Sequence, residues 1–262
     1  MEAFAPGSVT ALFAPTEGDG KSLGVSMAVE DGVVADVTPG DGTRVAVAGE
    51  RVAFEPVELL LSDLGVDATV ELAPEIPLGC GFGASGAATL ATALAANERF
   101  DLGETREELL YAAHEAEVTA GTGLGDVFIQ ERGGLVMDDG TGLRRFEPTE
   151  TLAYESYGGI DTADALGDEA FMTRVTDAGT RLIRDLPAEP SLSQVLGQGW
   201  TFAREIGLPT DEVRSTVAAV EAAGGTATMA MVGQTVFAVG DDDARSVLDH
   251  ETSVASGGAR LL

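Results

Sequence analysis

This chain of 262 residues has one cysteine, Cys80, two histidines and a single lysine, Lys21. A lone cysteine rules out an internal disulfide and suits a reducing compartment. So few histidines and cysteines argue against a zinc site. Aromatic residues make up 5% of the chain, so the core must be built mostly from Ala, Val and Leu. Positive charge is scarce: 15 basic residues stand against 44 acidic ones, for a net charge of −29. Such a chain repels nucleic acid and anionic membrane, which excludes both as partners. No apolar run reaches membrane-spanning length, and no basic segment followed by an apolar stretch opens the chain. The expectation is a soluble, cytoplasmic protein. The acids are scattered rather than massed in a tail, and the apolar sequence is too patterned for a disordered chain. They read as a solvated surface adapted to high salt, which points to a halophilic host. The dense run Asp241-Asp242-Asp243 sits where a helix can start.

What the chain does have is glycine, 34 residues of it. Pro77–Ala88 reads PLGCGFGASGAA, between an alternating, strand-like segment (Val66, Ala68, Val70, Leu72) and an alanine-rich helical run from Ala84 to Asn97. Glycines at 79, 81, 83 and 86 remove the Cβ atoms that keep a backbone away from a ligand. A glycine-rich turn that opens a helix aims free N–H groups and the positive dipole end at one point, a site for phosphate. A P-loop needs a lysine after Gly86, and none is there. Gly81 to Gly86 does match G-x-G-x-x-G, the dinucleotide pattern. The segment after the helix, however, reads as a second helix and not as a parallel strand. A ligand-free connection would leave the helix-opening Ser85 unexplained. Cys80 within this loop reads as a small residue in a crowded turn.

The first 75 residues are β-rich. Strands are expected over Phe4–Phe13, Ser22–Glu30, Gly32–Pro39, Thr43–Val47 and Ala68–Leu72, with a short helix over Pro56–Leu64. Helices follow over Ala84–Asn97 and Thr105–Ala120. Val127–Met137 and Leu143–Phe146 read as a hairpin turned at Asp138-Asp139-Gly140, and Thr151–Tyr157 as a further strand. The pattern then turns helical: Thr162–Leu186, Ser191–Ile206 and Thr210–Ala223. A hairpin of Thr226–Val232 with Gln234–Val239, a short helix from Asp241 and a strand over Ser253–Leu261 end the chain. The composition change near Pro148 marks a domain boundary, giving domains of 1–150 and 151–262.

A second constellation lies on the helix from Glu107 to Ala120. Leu109, Ala113, Ala116 and Ala120 form one apolar stripe, and Leu110, His114 and Glu117 lie on the adjacent face. A solvent-facing pair is one reading of His114 and Glu117; a pair beside a groove is the other. The next segment, Gly121 to Val127, is another glycine-rich turn, with Asp126 entering a strand-like run at its end. Ligand-binding acids sit at such edges.

The run Pro77–Ala88 resembles the P-x-x-x-G-[LF]-[GS]-[AS]-S-[GA]-A loop of the GHMP small-molecule kinases. Ala116-Glu117-Val118, TGLGDV at Thr122–Val127 and Gly133-Gly134 resemble that family's acid helix and catalytic-Asp segment. Ala227–Gly233 with Thr235–Ala238 resembles its third motif. Phe4–Pro15 and Lys21–Gly24 are similar to the opening strand and turn of the archaeal branch that phosphorylates pantoate. The resemblance implies an α+β fold of two domains, an N-terminal mixed β-sheet with helices and a C-terminal ferredoxin-like α/β sandwich, with ATP in the cleft between. It implies that Pro77, Gly79, Gly81, Gly83, Ala84, Ser85, Gly86 and Ala87 bind ATP, and that Ser85 and Glu117 hold Mg²⁺. Asp126 is then the base. Lys21, Ser22, His114 and one of Arg144 or Arg145, with Arg145 the choice, are left for the carboxylate of a small hydroxy acid, pantoate, on the route to coenzyme A. The chain departs from the family at Asp138-Asp139, where a basic residue is expected, and has only Gly224-Gly225 before the third motif. Members of the family often pair subunits, which carries the expectation of a homodimer. Mevalonate, homoserine or shikimate are rival acceptors. A sensor without turnover and a nicotinamide-dependent oxidoreductase using Gly81–Gly86 are the other function classes.

Overall fold

The computed structural model describes residues 1–16, 22–123, 125–159, 169–231 and 233–262. Two sheets carry the chain. The first runs β12-β1-β2-β5-β3-β4 and is made of β1 (Glu2–Pro15), β2 (Ser22–Pro39), β3 (Arg44–Val47), β4 (Glu50–Val52), β5 (Ala68–Pro74) and β12 (Arg260–Leu261). The hairpin of β6 (Leu135–Asp138) and β7 (Leu143–Phe146) extends it from the first half of β2. All its pairings are antiparallel except β3 with β5. The second sheet runs β11-β8-β10-β9, from β8 (Thr151–Gly159), β9 (Thr226–Met229), β10 (Gly233–Val239) and β11 (His250–Ser253), and is antiparallel throughout.

Against the first sheet lie α1 (Glu55–Asp63), α2 (Ala84–Phe100) and α4 (Asp126–Arg132), and α3 (Arg106–Ala120) packs on these helices. α5 (Glu169–Arg184) packs on β1 and β2 and against α6 (Leu192–Ile206), while the second sheet carries α6, α7 (Asp211–Ala222) and the single turn α8 (Asp242–Arg245). The alanines of α2 let it sit against β1 and β2 while α1, α3 and α4 cover its other faces. From Ala84 to Ala96 only Ser85 escapes full burial. That exception places one hydroxyl at the helix start. α3 is fixed by a capping box, in which the Thr105 hydroxyl accepts from the Glu108 N–H and the Glu108 carboxylate accepts from the Thr105 N–H. Helices of the second half pack directly on β1. A Cβ at Gly179 would lie 2.0 Å from the Phe13 carbonyl, and Phe13 meets Phe202 edge-on at 5.9 Å. Among the described residues, no helix is long and apolar enough to cross a membrane.

Three sequence expectations change. Ser22–Glu30 and Gly32–Pro39 are one strand, β2, with a register shift opposite Pro6/Gly7 in place of a break. The expected strand Val127–Met137 is two elements: Asp126–Arg132 is helix α4, and only Leu135–Asp138 is strand. An acid in its first turn, an arginine in its last and left-handed Gly133 after it are helix-terminus chemistry that outweighs the β-favouring Val127-Phe128-Ile129. The final strand is broken by Ser256-Gly257-Gly258 into β11 and the two-residue β12. The expected helix Thr162–Leu186 is seen as α5; residues 160–168 lie outside the described ones.

Candidate active site

The loop between β5 and α2 turns at left-handed glycines 79, 81 and 83. Gly83 is the N-cap of α2 and offers no side-chain cap. The first intrahelical bond runs from the Ala87 N–H to the Gly83 carbonyl at 3.0 Å, so the N–H groups of Ala84, Ser85 and Gly86 have no acceptor within the helix. Gly79 opens onto free space, whereas Gly81 and Gly83 are pressed into the protein. A Cβ at Gly81 would lie 2.7 Å from the Ala230 side chain, and one at Gly83 would lie 2.3 Å from the Ser8 hydroxyl. Phe82, fully buried between them, meets Tyr154 and Phe237 edge-on at 4.9 and 5.2 Å. The Thr235 hydroxyl donates to the Cys80 carbonyl at 2.7 Å and lies 2.9 Å from the Ser156 hydroxyl. The loop is thus clasped by the second sheet on one side and by β1 on the other.

Glu117 on α3 is 2% exposed and points at the start of α2. Its Oε1 accepts from Ser85 at 2.8 Å and Thr89 at 2.7 Å; its Oε2 accepts from Thr122 at 2.8 Å. Burial pushes its carboxyl up from the usual range, and the charge of Asp126 adds to that, against the three hydroxyls that favour the ionised form. Asp126 opens α4 and accepts from the Ser8 hydroxyl at 2.7 Å. Burial pushes its carboxyl up as well, opposed by that bond. Gly123 sits between the two acids: a Cβ there would lie 3.0 Å from Glu117 Oε2 and 3.8 Å from Asp126 Oδ2. Among the described residues, no arginine, lysine or histidine pairs with either acid. A buried and a half-buried carboxylate with no counter-charge, beside unsatisfied helix N–H groups, suit an anion brought in with a cation.

The sequence expectation therefore gathers Ser85, Glu117 and Asp126 around Gly83 and Gly86. Pro77 and Gly79 lie at the outer part of the same loop, and Ala84 and Ala87 in the first turn of α2. His114 lies one turn before Glu117, its ring centroid 4.9 Å from that of Phe128 and its Nδ1 buried with no hydrogen-bond partner. Ser22 is exposed opposite Pro15, about 23 Å of extended strand along β1 from Ser8, and is not gathered with the cluster. Arg145 is committed elsewhere. Its guanidinium donates to the carbonyls of Arg132, Gly133 and Ser256 and pairs with Glu147 at 2.5 Å. Arg144 is likewise taken by Asp139 and the Ala188 carbonyl. Lys21 lies outside the described residues.

Sequence reasoning missed Ser8, Thr89, Thr122, Gln130 and Thr235. Thr89 is four residues after Ser85 and so shares its helix face, a signal that was there to use. Gln130 stands four after Asp126, but the spacing has meaning only once α4 is a helix. No local signal marks Ser8 or Thr235.

Residues 51–134, which span the loop, α2, α3 and α4, match the model of the GHMP kinases N terminal domain. The chain carries a GHMP kinase N-terminal domain. Its sequence is 26% identical to the pantoate kinase of Methanocaldococcus jannaschii over 266 residues, covering 94% of this chain and 97% of that protein. It is 28% identical to the pantoate kinase of Methanospirillum hungatei over 285 residues, covering 100% and 96%. A solved structure titled as a phosphotransferase related to the CoA biosynthesis pathway superposes with a TM-score of 0.83 at 24% identity, covering 100% of this chain and 98% of that one. The GHMP kinase fold, α+β with mixed sheets and helices, is thereby established. It removes the oxidoreductase reading of Gly81–Gly86: α2 is followed by α3, not by a parallel strand, so no dinucleotide-binding βαβ unit exists there.

Proposed function

We propose that this chain is an ATP-dependent pantoate kinase, forming 4-phosphopantoate in archaeal coenzyme A biosynthesis. The observation that carries the chemistry is the convergence of Ser85, Glu117 and Asp126 at the start of α2. Similarity to curated pantoate kinases over nearly the whole chain supports the acceptor.

In this reading the loop from Gly79 to Gly86 and the free N–H groups of α2 hold the ATP phosphates. The Ser85 hydroxyl and the Glu117 carboxylate form an all-oxygen donor set of the kind that suits Mg²⁺. Among the described residues no cluster of three or more acidic, histidine or cysteine side chains is placed to hold a metal. The remaining ligands would then be phosphate oxygens and water. Bound Mg²⁺ supplies neutralisation of the charge on the transferring phosphoryl group. Asp126 accepts or orients the proton of the attacking hydroxyl, and its burial gives it the raised proton affinity a base needs. Positioning contributes most of the rate, because phosphoryl transfer asks little covalent work of a protein. His114, with its buried, unpartnered Nδ1 one turn before Glu117 on α3, is the candidate donor for the acceptor's carboxylate.

The test is ADP release in high potassium chloride with Mg-ATP, offering pantoate, mevalonate, homoserine and shikimate in parallel. Turnover with pantoate alone is expected. Turnover with another alcohol would keep the chemistry and overturn the acceptor. ATP binding with no turnover on any acceptor would favour a sensor.

A further inference from the structure

Asp126 does not stand on its own helix alone. The Ser8 hydroxyl donates to its Oδ1 at 2.7 Å. The Gln130 side-chain amide donates to Ser8 Oγ at 3.3 Å and, with its second hydrogen, to the Gly83 carbonyl at 2.7 Å. The Ser8 N–H donates to the Phe82 carbonyl at 2.7 Å. Ser8 and Gln130 are 1% and 0% exposed, so these bonds are shielded from competing water. The donor count closes: the amide's two hydrogens and the one hydroxyl hydrogen each meet an acceptor, and only Gln130 Oε1 is left unpaired. That orphan lies 2.9 Å from where a Cβ on Gly86 would be, and the relay leaves no room for a side chain at Gly83. A surface decoration would not tolerate such constraints; a buried network of this kind holds one geometry.

We propose that Ser8 and Gln130 are positioning residues: a buried relay that fixes the carboxylate of Asp126 and ties it to the phosphate loop through the Gly83 carbonyl. The proposal rests on the reading of Asp126 as the base. β1 supplies the middle member, α4 both ends of the acid–amide pair, and the loop the anchor. Because the same amide touches the loop and the hydroxyl that holds the base, a shift of the loop moves the base with it. Phosphoryl donor and acceptor proton are then kept in register.

The ionisable neighbours of Asp126 are few. On α3, Glu117 is felt electrostatically, and His114 packs its ring against Phe128. On α4 itself, Glu131 is paired with Arg106, and Arg132 lies in the last turn. α2 has Glu98 and Arg99 only at its far end, and β1 only Glu2 at its far end. On β2, Glu30 accepts from the Ser256 N–H and Asp31 acts on Tyr154. The Ser8 bond is therefore the contact that most favours the ionised base.

The experiment follows Asp126 by its side-chain carboxyl ¹³C titration, assigned against Asp126→Asn, beside the pH dependence of kcat. Ser8→Ala should raise the Asp126 midpoint by about one pH unit and move the acid limb of kcat up equally, leaving KM for ATP and acceptor within about two-fold. Ser8→Thr, which keeps the hydroxyl, should return both toward wild type. Gln130→Met, of similar shape with no donor, should shift both in the same direction by less. The shifts of the double variant should be smaller than the sum of the single ones. An Asp126 midpoint unchanged in Ser8→Ala and in Gln130→Met would overturn the relay. So would losses of activity that track melting temperature alone, without a pH shift. Because the titration needs no turnover, it judges the relay even if the acceptor is not pantoate.

Discussion

Replacing Glu117 by glutamine should make the protein more stable and useless as a kinase. The shape is conserved, and the Ser85 and Thr89 hydroxyls can still donate to the remaining carbonyl oxygen. The Thr122 hydroxyl can turn and accept from the new NH₂ group. What disappears is a charge that burial and Asp126 both oppose. With Gly123 between the two acids, their nearest oxygens are at most about 7 Å apart, where the repulsion is about 2 kcal/mol at an effective dielectric of ~20. High salt screens such a buried pair far less than it screens the acidic surface. The upward direction of the Glu117 carboxyl says that these penalties outweigh the three hydroxyl bonds. The sign in pH follows. A carboxyl raised by folding leaves stability intact below the ordinary carboxylate range and loses it as pH rises through the raised value. The variant lacks that loss. It should melt with wild type at about pH 4 or below and roughly 4–6 °C above it at pH 8, without metal. Adding Mg-ATP should raise the wild-type melting temperature and leave the variant unchanged. A variant that melts below wild type at pH 8 in EDTA would refute this reasoning, because the ionised carboxylate would then be a net stabiliser.

The other predictions concern how the loop is held. Gly83→Ala adds a Cβ 2.3 Å from the Ser8 hydroxyl at a φ of 60°, and should cost upward of about 2 kcal/mol and abolish nucleotide binding in a titration. Gly79→Ala, with a φ of 72° and nothing within 4 Å, should cost only about 1 kcal/mol in denaturant unfolding. Thr235→Val strands the Cys80 carbonyl and should raise KM for ATP roughly ten-fold, with a smaller change in kcat.

Much of this site was legible because its signals are local. The glycine loop, Ser85 and the alanine helix occupy one short run, and the family resemblance carried Glu117 and Asp126 with it. The strand assigned to Val127–Met137 failed because β-branched and aromatic residues speak for strand propensity. The helix there is set by its ends, Gly125-Asp126 and Arg132-Gly133, and by burial of Val127 and Gln130. That error hid Gln130. Ser8 and Thr235 were hidden for another reason: Ser8 meets Asp126 across 118 positions, and Thr235 meets Cys80 across 155. No periodicity within one segment reports a partner that only the assembled sheets supply. Arg145 was a reasonable cation by elimination, yet packing gave it structural work at the end of α4.

The central claim is that Asp126 serves phosphoryl transfer to a small hydroxy acid beside the α2 loop. The most direct measurement is kcat for pantoate with Mg-ATP in wild type and Asp126→Asn, with the phosphorylated product identified by ³¹P NMR and nucleotide affinity measured in both. A fall in kcat of about 10²–10⁴-fold, with ATP affinity within a few-fold of wild type, is the predicted result. A variant that turns over at close to the wild-type rate would contradict it.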